Sequence, residues 1–135
     1  MNPAEIMAEI AVELGRLPRI RKAFPHPTNK LGGFPAAVVG YPGPINYGVL
    51  SDDGHRLTIP AWIVIGGVVE RETAVKAGQY LGDEQPWSVL HALNTKSDWE
   101  TCDVVTVVNA DTDVITIAEG DYLTAVFELD IAVTS

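Results

Sequence analysis

The chain has 135 residues, of which 47% are hydrophobic and 20% are charged, and this ordinary globular balance excludes a disordered or fibrous protein. Nine basic and eighteen acidic residues give a formal net charge of −9, which disfavours tight binding to the phosphate backbone of nucleic acids. The sequence has no run of about 18 apolar residues, so it predicts no transmembrane helix. The length favours one domain over residues 1–135.

The first predicted element is an N-terminal helix. Asn2 is a good N-cap residue, and Pro3 suits the first helical position. An apolar stripe with spacings of three and four residues follows, formed by Ile6, Ile10, Leu14 and Leu17. Gly15 and Pro18 mark the end of the helix, and Pro and Gly residues then predict a loop over residues 19–33.

Two strands are predicted next, over residues 34–41 and 57–69. Pro60 and the pair Gly66-Gly67 indicate an edge or a bulge within the second strand. The segment between the strands, residues 42–56, is a long turn-rich excursion in which Asp53-Gly54 is a hairpin signal. Because most connections run about 2–6 residues, a segment of this length favours contact with a partner.

The rest of the chain predicts two helices and then three strands. The first helix has mostly small side chains and ends near Leu81. The second helix is short and begins at Pro86. The three strands are joined by the turn-like runs "NADTD" (109–113) and "AEGD" (118–121). This order of elements predicts an α+β fold, with a mixed, mostly antiparallel sheet and with the N-terminal helix and the central helix pair packed on one face.

The terminal strand, residues 121–133, has the clearest alternation in the chain. One face carries only apolar side chains, and its members are Leu123, Ala125, Phe127, Leu129, Ile131 and Val133. We expect this face to pack under the helices. The backbone edge of the strand, and the polar face with Glu128 and Asp130, are then expected to stay available for assembly.

The residues that most often carry catalysis show no catalytic pattern in this chain. His26, His55 and His91 lack the spacing of metal ligands. Ser88 lies three residues before His91 on one predicted helix, a geometry that suits helix capping better than nucleophilic catalysis. The lone Cys102 favours packing. The sequence therefore predicts a protein that is not an enzyme and that has no metal and no cofactor.

Four segments together resemble the tail terminator (tail completion) proteins of long-tailed bacteriophages, most closely those carried by phages of actinobacteria. They are "FPAAVVGYPGPINYG", "LTIPAWIVIGG", "WSVLHALN" and "GDYLTAVFELDIAV". The resemblance covers nearly the whole chain. It consists of pattern and element order rather than a catalytic motif, and the run "GQYLGDEQPW" (78–87) is less rich in glycine than is usual for the family.

The resemblance implies a structural virion protein at the head-proximal end of the tail. Six copies would form a ring that caps the tail tube, stops tail polymerisation and provides the joining surface for the connector or neck protein of the head. The implied partners are other copies of the chain, the tail tube protein and this connector, while genomic DNA only passes through the lumen and no membrane is involved. Assembly would take place in the host cytoplasm.

The predicted interface combines the turn-rich segment with the polar face of the terminal strand. Its candidate residues, for contact with a neighbouring subunit or the tube, are Tyr41, Pro42, Pro44, Tyr47, Asp52, Asp53, His55, Glu128 and Asp130.

Two alternatives stay open from the sequence. A neighbouring neck or head-completion protein of the same virion would share the small size, the acidity and the absence of catalytic motifs. A small α+β enzyme or ligand-binding domain would instead use a pocket between helices and sheet, lined by Trp62, Trp87 and His91.

Overall fold

The fold is that of a computed structural model, in which residues 1–28, 30–47, 54–117 and 120–134 are described. The helices are α1 (Pro3–Gly15), α2 (Arg71–Leu81) and α3 (Val89–Asn94). The strands are β1 (Lys22–Phe24), β2 (Ala36–Val39), β3 (Ile45–Tyr47), β4 (Gly54–Gly67), β5 (Val104–Ile117) and β6 (Gly120–Thr134). The predicted α+β class is confirmed.

The N-terminal helix forms where the sequence predicts it. The side chain of Asn2 accepts a hydrogen bond of 3.0 Å from the backbone N–H of Ala4, and this bond satisfies one of the free donors of the first turn. The stripe from Ile6 to Leu17 is buried. The helix ends at Gly15, so the predicted cap, stripe and end are all confirmed.

The six strands form one sheet in the order β1-β2-β4-β6-β5, and β3 pairs with β4 beyond the end of β2. Only β1 and β2 run parallel, while the other pairs are antiparallel. The register between β4 and β6 shifts between Val64 and Gly66, which confirms the bulge predicted from the two glycines. The sheet is therefore mixed and mostly antiparallel, as predicted.

The main core lies between the three helices and one face of the sheet. On β6 the alternating apolar side chains predicted for this face are buried from Ala125 to Val133, and Leu123 is half-buried. Alternate residues of β4, from Leu57 to Ile65, pack in the same core. The prediction that the helices gather over the apolar face of the terminal strand is confirmed.

The opposite side of the sheet, which we call the open face, is covered only in part. A small cluster forms there where Leu31 packs on Ala36, Val38 and Val64. The ring of Phe34 extends this cover across the sheet and stacks on Tyr122 with 4.6 Å between the ring centroids. The rest of the open face has no layer of described residues over it.

Two predictions about the C-terminal strands are wrong. The run "NADTD" is not a turn, because it lies within β5, which continues from Val104 to Ile117; two long strands replace the predicted three. The edge of the terminal strand is not available either, because β6 pairs with β4 on one side and with β5 on the other. Asn and Asp usually favour turns, but residues 108–114 are exposed and extend beyond the main core, so polar residues are tolerated there.

Two short strands are missing from the sequence prediction. β1 lies within the predicted loop 19–33, and β3 lies within the predicted excursion 42–56. Each has three residues, too few to produce a detectable alternation. The hairpin signal at Asp53 lies outside the described residues. None of the described helices has the length and apolar character needed to cross a membrane.

Candidate functional site

The segment that follows β2 is held along β4 instead of projecting as a free loop. The N–H of Gly40 donates to the carbonyl oxygen of Pro60 at 2.7 Å, and the N–H of Gly43 donates to that of Thr58 at 2.8 Å. A Cβ atom on Gly40 would lie 2.5 Å from a ring carbon of Trp62, so only glycine fits this close approach. Residues 40–47, which include the described part of the predicted excursion before β4, thus form an ordered margin of the sheet.

This margin displays two tyrosines. The side chains of Tyr41 and Tyr47 are 66% and 67% exposed, Pro42 is half-buried and Pro44 is exposed. Tyr41 and Pro42 also line a shallow apolar groove with Met7 of α1. Aromatic side chains on a rigid backbone are typical of protein interfaces, because they provide a large contact area at a low entropy cost.

His55 lies beside the second of these tyrosines. The rings of Tyr47 and His55 meet edge to face, with 5.2 Å between their centroids and an interplanar angle of 76°. The Nδ1 atom of His55 is buried and has no hydrogen-bond partner among the described residues. Asp52 and Asp53, predicted in the same interface, lie outside the described residues.

Glu128 and Asp130 lie elsewhere, near the middle of the open face. They are opposite Pro60 and Thr58 in the register of β6 with β4. Glu128 is exposed, whereas Asp130 is half-buried and forms an ion pair of 3.5 Å with Arg56. The structure therefore brings Tyr41, Tyr47 and their neighbours together at one margin, and it separates them from the two carboxylates.

Two acidic residues that sequence reasoning assigned to a turn belong to the exposed surface of the sheet. Asp111 and Asp113 lie on β5, opposite Val126 and Thr124 of β6, so their side chains are on the open face. Both are exposed. The two-residue spacing of Asp111 and Asp113 is the spacing of side chains on one face of a strand. The run "NADTD" also has the composition of a turn, and this composition favoured the wrong interpretation.

Two of the residues considered for catalysis, Ser88 and Cys102, are buried. The Ser88 hydroxyl accepts the N–H of His91 at 3.0 Å and donates to the carbonyl oxygen of Gly82 at 2.7 Å. The capping role predicted for Ser88 is confirmed, but α3 begins at Val89, so the predicted start at Pro86 is wrong. Cys102 is buried, and burial raises the pKa of its thiol to about 11. Within the described ranges, no three or more His, Cys, Asp or Glu side chains are grouped to hold a metal ion.

Replacing Ser88 by Ala tests the capping role. The variant loses two hydrogen bonds at a site that is 1% exposed, so we expect the free energy of unfolding to fall by about 1–3 kcal/mol while the protein stays folded. Urea unfolding followed by circular dichroism measures the change. Ser97→Ala, at an exposed position on the connection from α3 to β5, is the control and should have no effect. An equal loss in both variants would contradict the cap.

Glu9 has a role that the sequence did not indicate. Its carboxylate accepts the backbone N–H groups of Glu100 and Thr101, both at 2.9 Å, and the hydroxyl of Thr101 at 2.5 Å. Burial raises the pKa of Glu9, but these hydrogen bonds outweigh it and hold the pKa below its ordinary value. The carboxylate thereby fastens α1 to the connection that leads into β5.

Comparison with known proteins assigns no family. No protein-family model matches the sequence, and no curated protein matches it. The surfaces described above, together with the resemblance of the sequence segments, are therefore the grounds on which a function can be proposed.

Proposed function

We propose that this protein is a structural subunit of a bacteriophage tail, which closes the head-proximal end of the tail tube as a ring of six copies. In this role it stops tube polymerisation and provides the surface that joins the tail to the head connector. The observation that carries the proposal is the ordered margin of residues 40–47, which displays Tyr41 and Tyr47 to solvent. The sequence resemblance to tail terminators, which includes this segment, supplies the identity of the partner.

The margin has the properties that a docking surface needs. Its backbone is fixed by hydrogen bonds to β4, so little conformational entropy is lost when a partner binds. The exposed tyrosine rings can fill pockets in a partner, and the prolines restrict the backbone between them. A tube end, which repeats one tube subunit around an axis, would engage one such margin from each copy of the ring.

The acidic open face supports passage of DNA through the ring. Glu128, on the interior strand β6, exposes its carboxylate on this face. A negative surface repels the phosphates of a passing duplex and opposes adhesion to it. An open face turned towards the lumen would let genomic DNA pass without binding.

The test combines electron microscopy with tube polymerisation. Purified tail tube protein of the same phage is allowed to polymerise with and without this protein, and negative-stain images record tube length and the presence of a cap. We expect capped tubes of reduced length and, at high protein concentration, free six-fold rings. Tubes that elongate as usual and carry no cap would overturn the proposal, and binding to purified connector alone would favour the neck protein instead.

A further inference from the structure

We propose that copies of this protein associate head to tail through the two opposite edges of the sheet, with β5 of one copy docking on β1 of the next. This inference deepens the proposed ring and rests on it. It assigns the subunit contact to Lys22 and neighbouring cations on one copy, and to Asp111 and Asp113 on the other. Each copy uses two different surfaces, as a ring requires.

The charges of the chain are separated between these two edges. Residues 14–47, which include β1, β2 and β3, contain five basic and no acidic residues, whereas residues 97–135, which include β5 and β6, contain nine acidic and no basic residues. Since β1 and β5 are the first and last strands of the sheet, the positive and negative segments lie on opposite sides of the molecule. Such a subunit attracts the next copy edge to edge.

The charged groups at both edges form no ion pair within the described part of the chain. Arg19, Arg21 and Lys22 are exposed, and none belongs to an ion pair there. The carboxylates of Asp111 and Asp113 each accept only the N–H of the following residue, at 2.8 and 2.9 Å. Burying these charges in a contact therefore replaces water around them with an opposite charge and breaks no existing ion pair.

The register of the sheet places the opposite charges at the same level. One cross-strand row runs through all five strands of the main path and consists of Lys22, Ala36, Val64, Thr124 and Asp113. Its two ends are therefore a cation on β1 and a carboxylate on β5, about 19 Å apart across four strand spacings. Ala36 and Val64 belong to the open-face cluster, so the side chains of Lys22 and Asp113 are on that same face.

The strand directions allow the sheet to continue from one copy into the next. β1 is parallel to β2, and each later pair in the path is antiparallel, so β5 runs opposite to β1. A junction of β5 with the β1 of another copy is thus antiparallel. In the described residues, no other strand pairs with the outer side of β1 or of β5, and unpaired strand edges are ready templates for such addition.

Apolar groups on the helix side complement the charged contact. Val114 is opposite Leu123, so it lies on the helix side of β5, where it is 51% exposed. Beside β1, a shallow groove between α1 and the strand is lined mostly by small or apolar residues, among them Ala8, Val12 and Ala23. In the register that joins Asp113 to Lys22, Val114 is opposite Arg21 and Thr112 is opposite Ala23, so Val114 lies diagonally from Ala23 at the rim of this groove and is partly removed from water.

The proposed contact joins neighbouring copies without a displacement along the strands. When Asp113 meets the Lys22 of the next copy, the two ends of one row are joined, and the sheet continues without a shift along the strands. A head-to-tail contact of this kind closes into a ring when the rotation between neighbouring copies is a whole fraction of a turn, whereas an added rise produces a helix.

Reversing the charge of one edge at a time tests the contact. Variant one carries Asp111→Lys and Asp113→Lys, and variant two carries Arg21→Glu and Lys22→Glu. Sedimentation velocity across a concentration series measures self-association, and circular dichroism verifies folding. We expect each variant to self-associate about ten- to thirtyfold more weakly than the unmodified protein, because each juxtaposes like charges. A mixture of the two should restore association, as should one chain with all four changes.

The control separates the local contact from net charge. Variant one changes the formal net charge from −9 to −5, because two negative charges are replaced by two positive ones. General repulsion between copies would then fall, and association would rise. Asp83→Lys with Glu84→Lys makes the same change at exposed positions between α2 and α3. Weaker association in variant one but not in this control supports the edge contact, and equal behaviour of the two overturns it.

A cross-link tests the register. In a Cys102→Ala background, Lys22→Cys with Asp113→Cys should give a ladder of disulfide-linked oligomers on mild oxidation, because each copy is joined on both sides. With Asp113→Cys alone, at most dimers should form. Absence of the ladder under conditions where unmodified protein is oligomeric would refute the register.

These results are independent of tail binding. If association is restored in the mixture but the oligomers do not cap tubes, the edge contact is supported and the proposed function is refuted. If every charge variant forms rings that cap tubes, the proposed function is supported and the edge contact is refuted.

Discussion

Replacing Phe127 by Asp is expected to unfold the protein. Phe127 is 2% exposed and lies on the interior strand β6, in the core beneath the helices. Removal of a buried Phe side chain typically costs about 3–5 kcal/mol, and a carboxylate without a partner adds a further penalty of several kcal/mol. Because the stability of a domain is only about 5–15 kcal/mol, the native state should no longer be populated.

Circular dichroism and urea unfolding test this expectation. Val108→Asp is the matched control, because Val108 is 54% exposed on β5 and an added carboxylate there stays in water. We expect the control to unfold at nearly the same urea concentration as the unmodified protein. A cooperative unfolding transition in Phe127→Asp, with unchanged midpoint, would show that β6 is not buried as described.

The second large effect is expected at the margin beside β4. Replacing both Tyr41 and Tyr47 by Ser should abolish tube capping while the subunit stays folded, because both rings are mainly in solvent in the isolated subunit. Interface aromatic residues that act as anchors cost about 2 kcal/mol or more each when truncated. The affinity for the tube should therefore fall by about a thousandfold.

Substitution is a cleaner test here than deletion. Asn46 and Tyr47 belong to β3, so a deletion that begins at Asn46 would also remove part of the sheet. Val69→Ser provides the control, since Val69 is 94% exposed on the connection between β4 and α2. Tube length and cap frequency in electron micrographs are the readout. Normal capping by the double Tyr variant would exclude this margin as the tube contact.

Local sequence patterns predicted the elements that form from their own residues. Asn2 and Pro3 initiate α1 through hydrogen bonding and backbone preference within a few residues. Ser88 caps α3 through the N–H of a residue three positions later. The alternation along β6 indicates a face that must be buried wherever the strand lies. These features are determined locally, so the sequence predicted them.

The residues of the predicted interface do not all lie on one surface. Tyr41 and Tyr47 are exposed at one margin as expected, but Glu128 and Asp130 lie on the open face, away from them. Asp111 and Asp113 were missed, because an exposed strand can carry the same polar residues as a turn. Residue composition cannot distinguish the two, since the difference depends on pairing with β6.

The α+β class, the buried face of the terminal strand and the charge of each segment follow from the order and type of the amino acids alone. The interior position of β6, the edge positions of β5 and β1, and the common row that ends in Lys22 and Asp113 depend on tertiary pairing. Strand order and register depend on hydrogen bonds between residues far apart in the chain, and a period-two pattern specifies which face is buried but not which strand lies alongside.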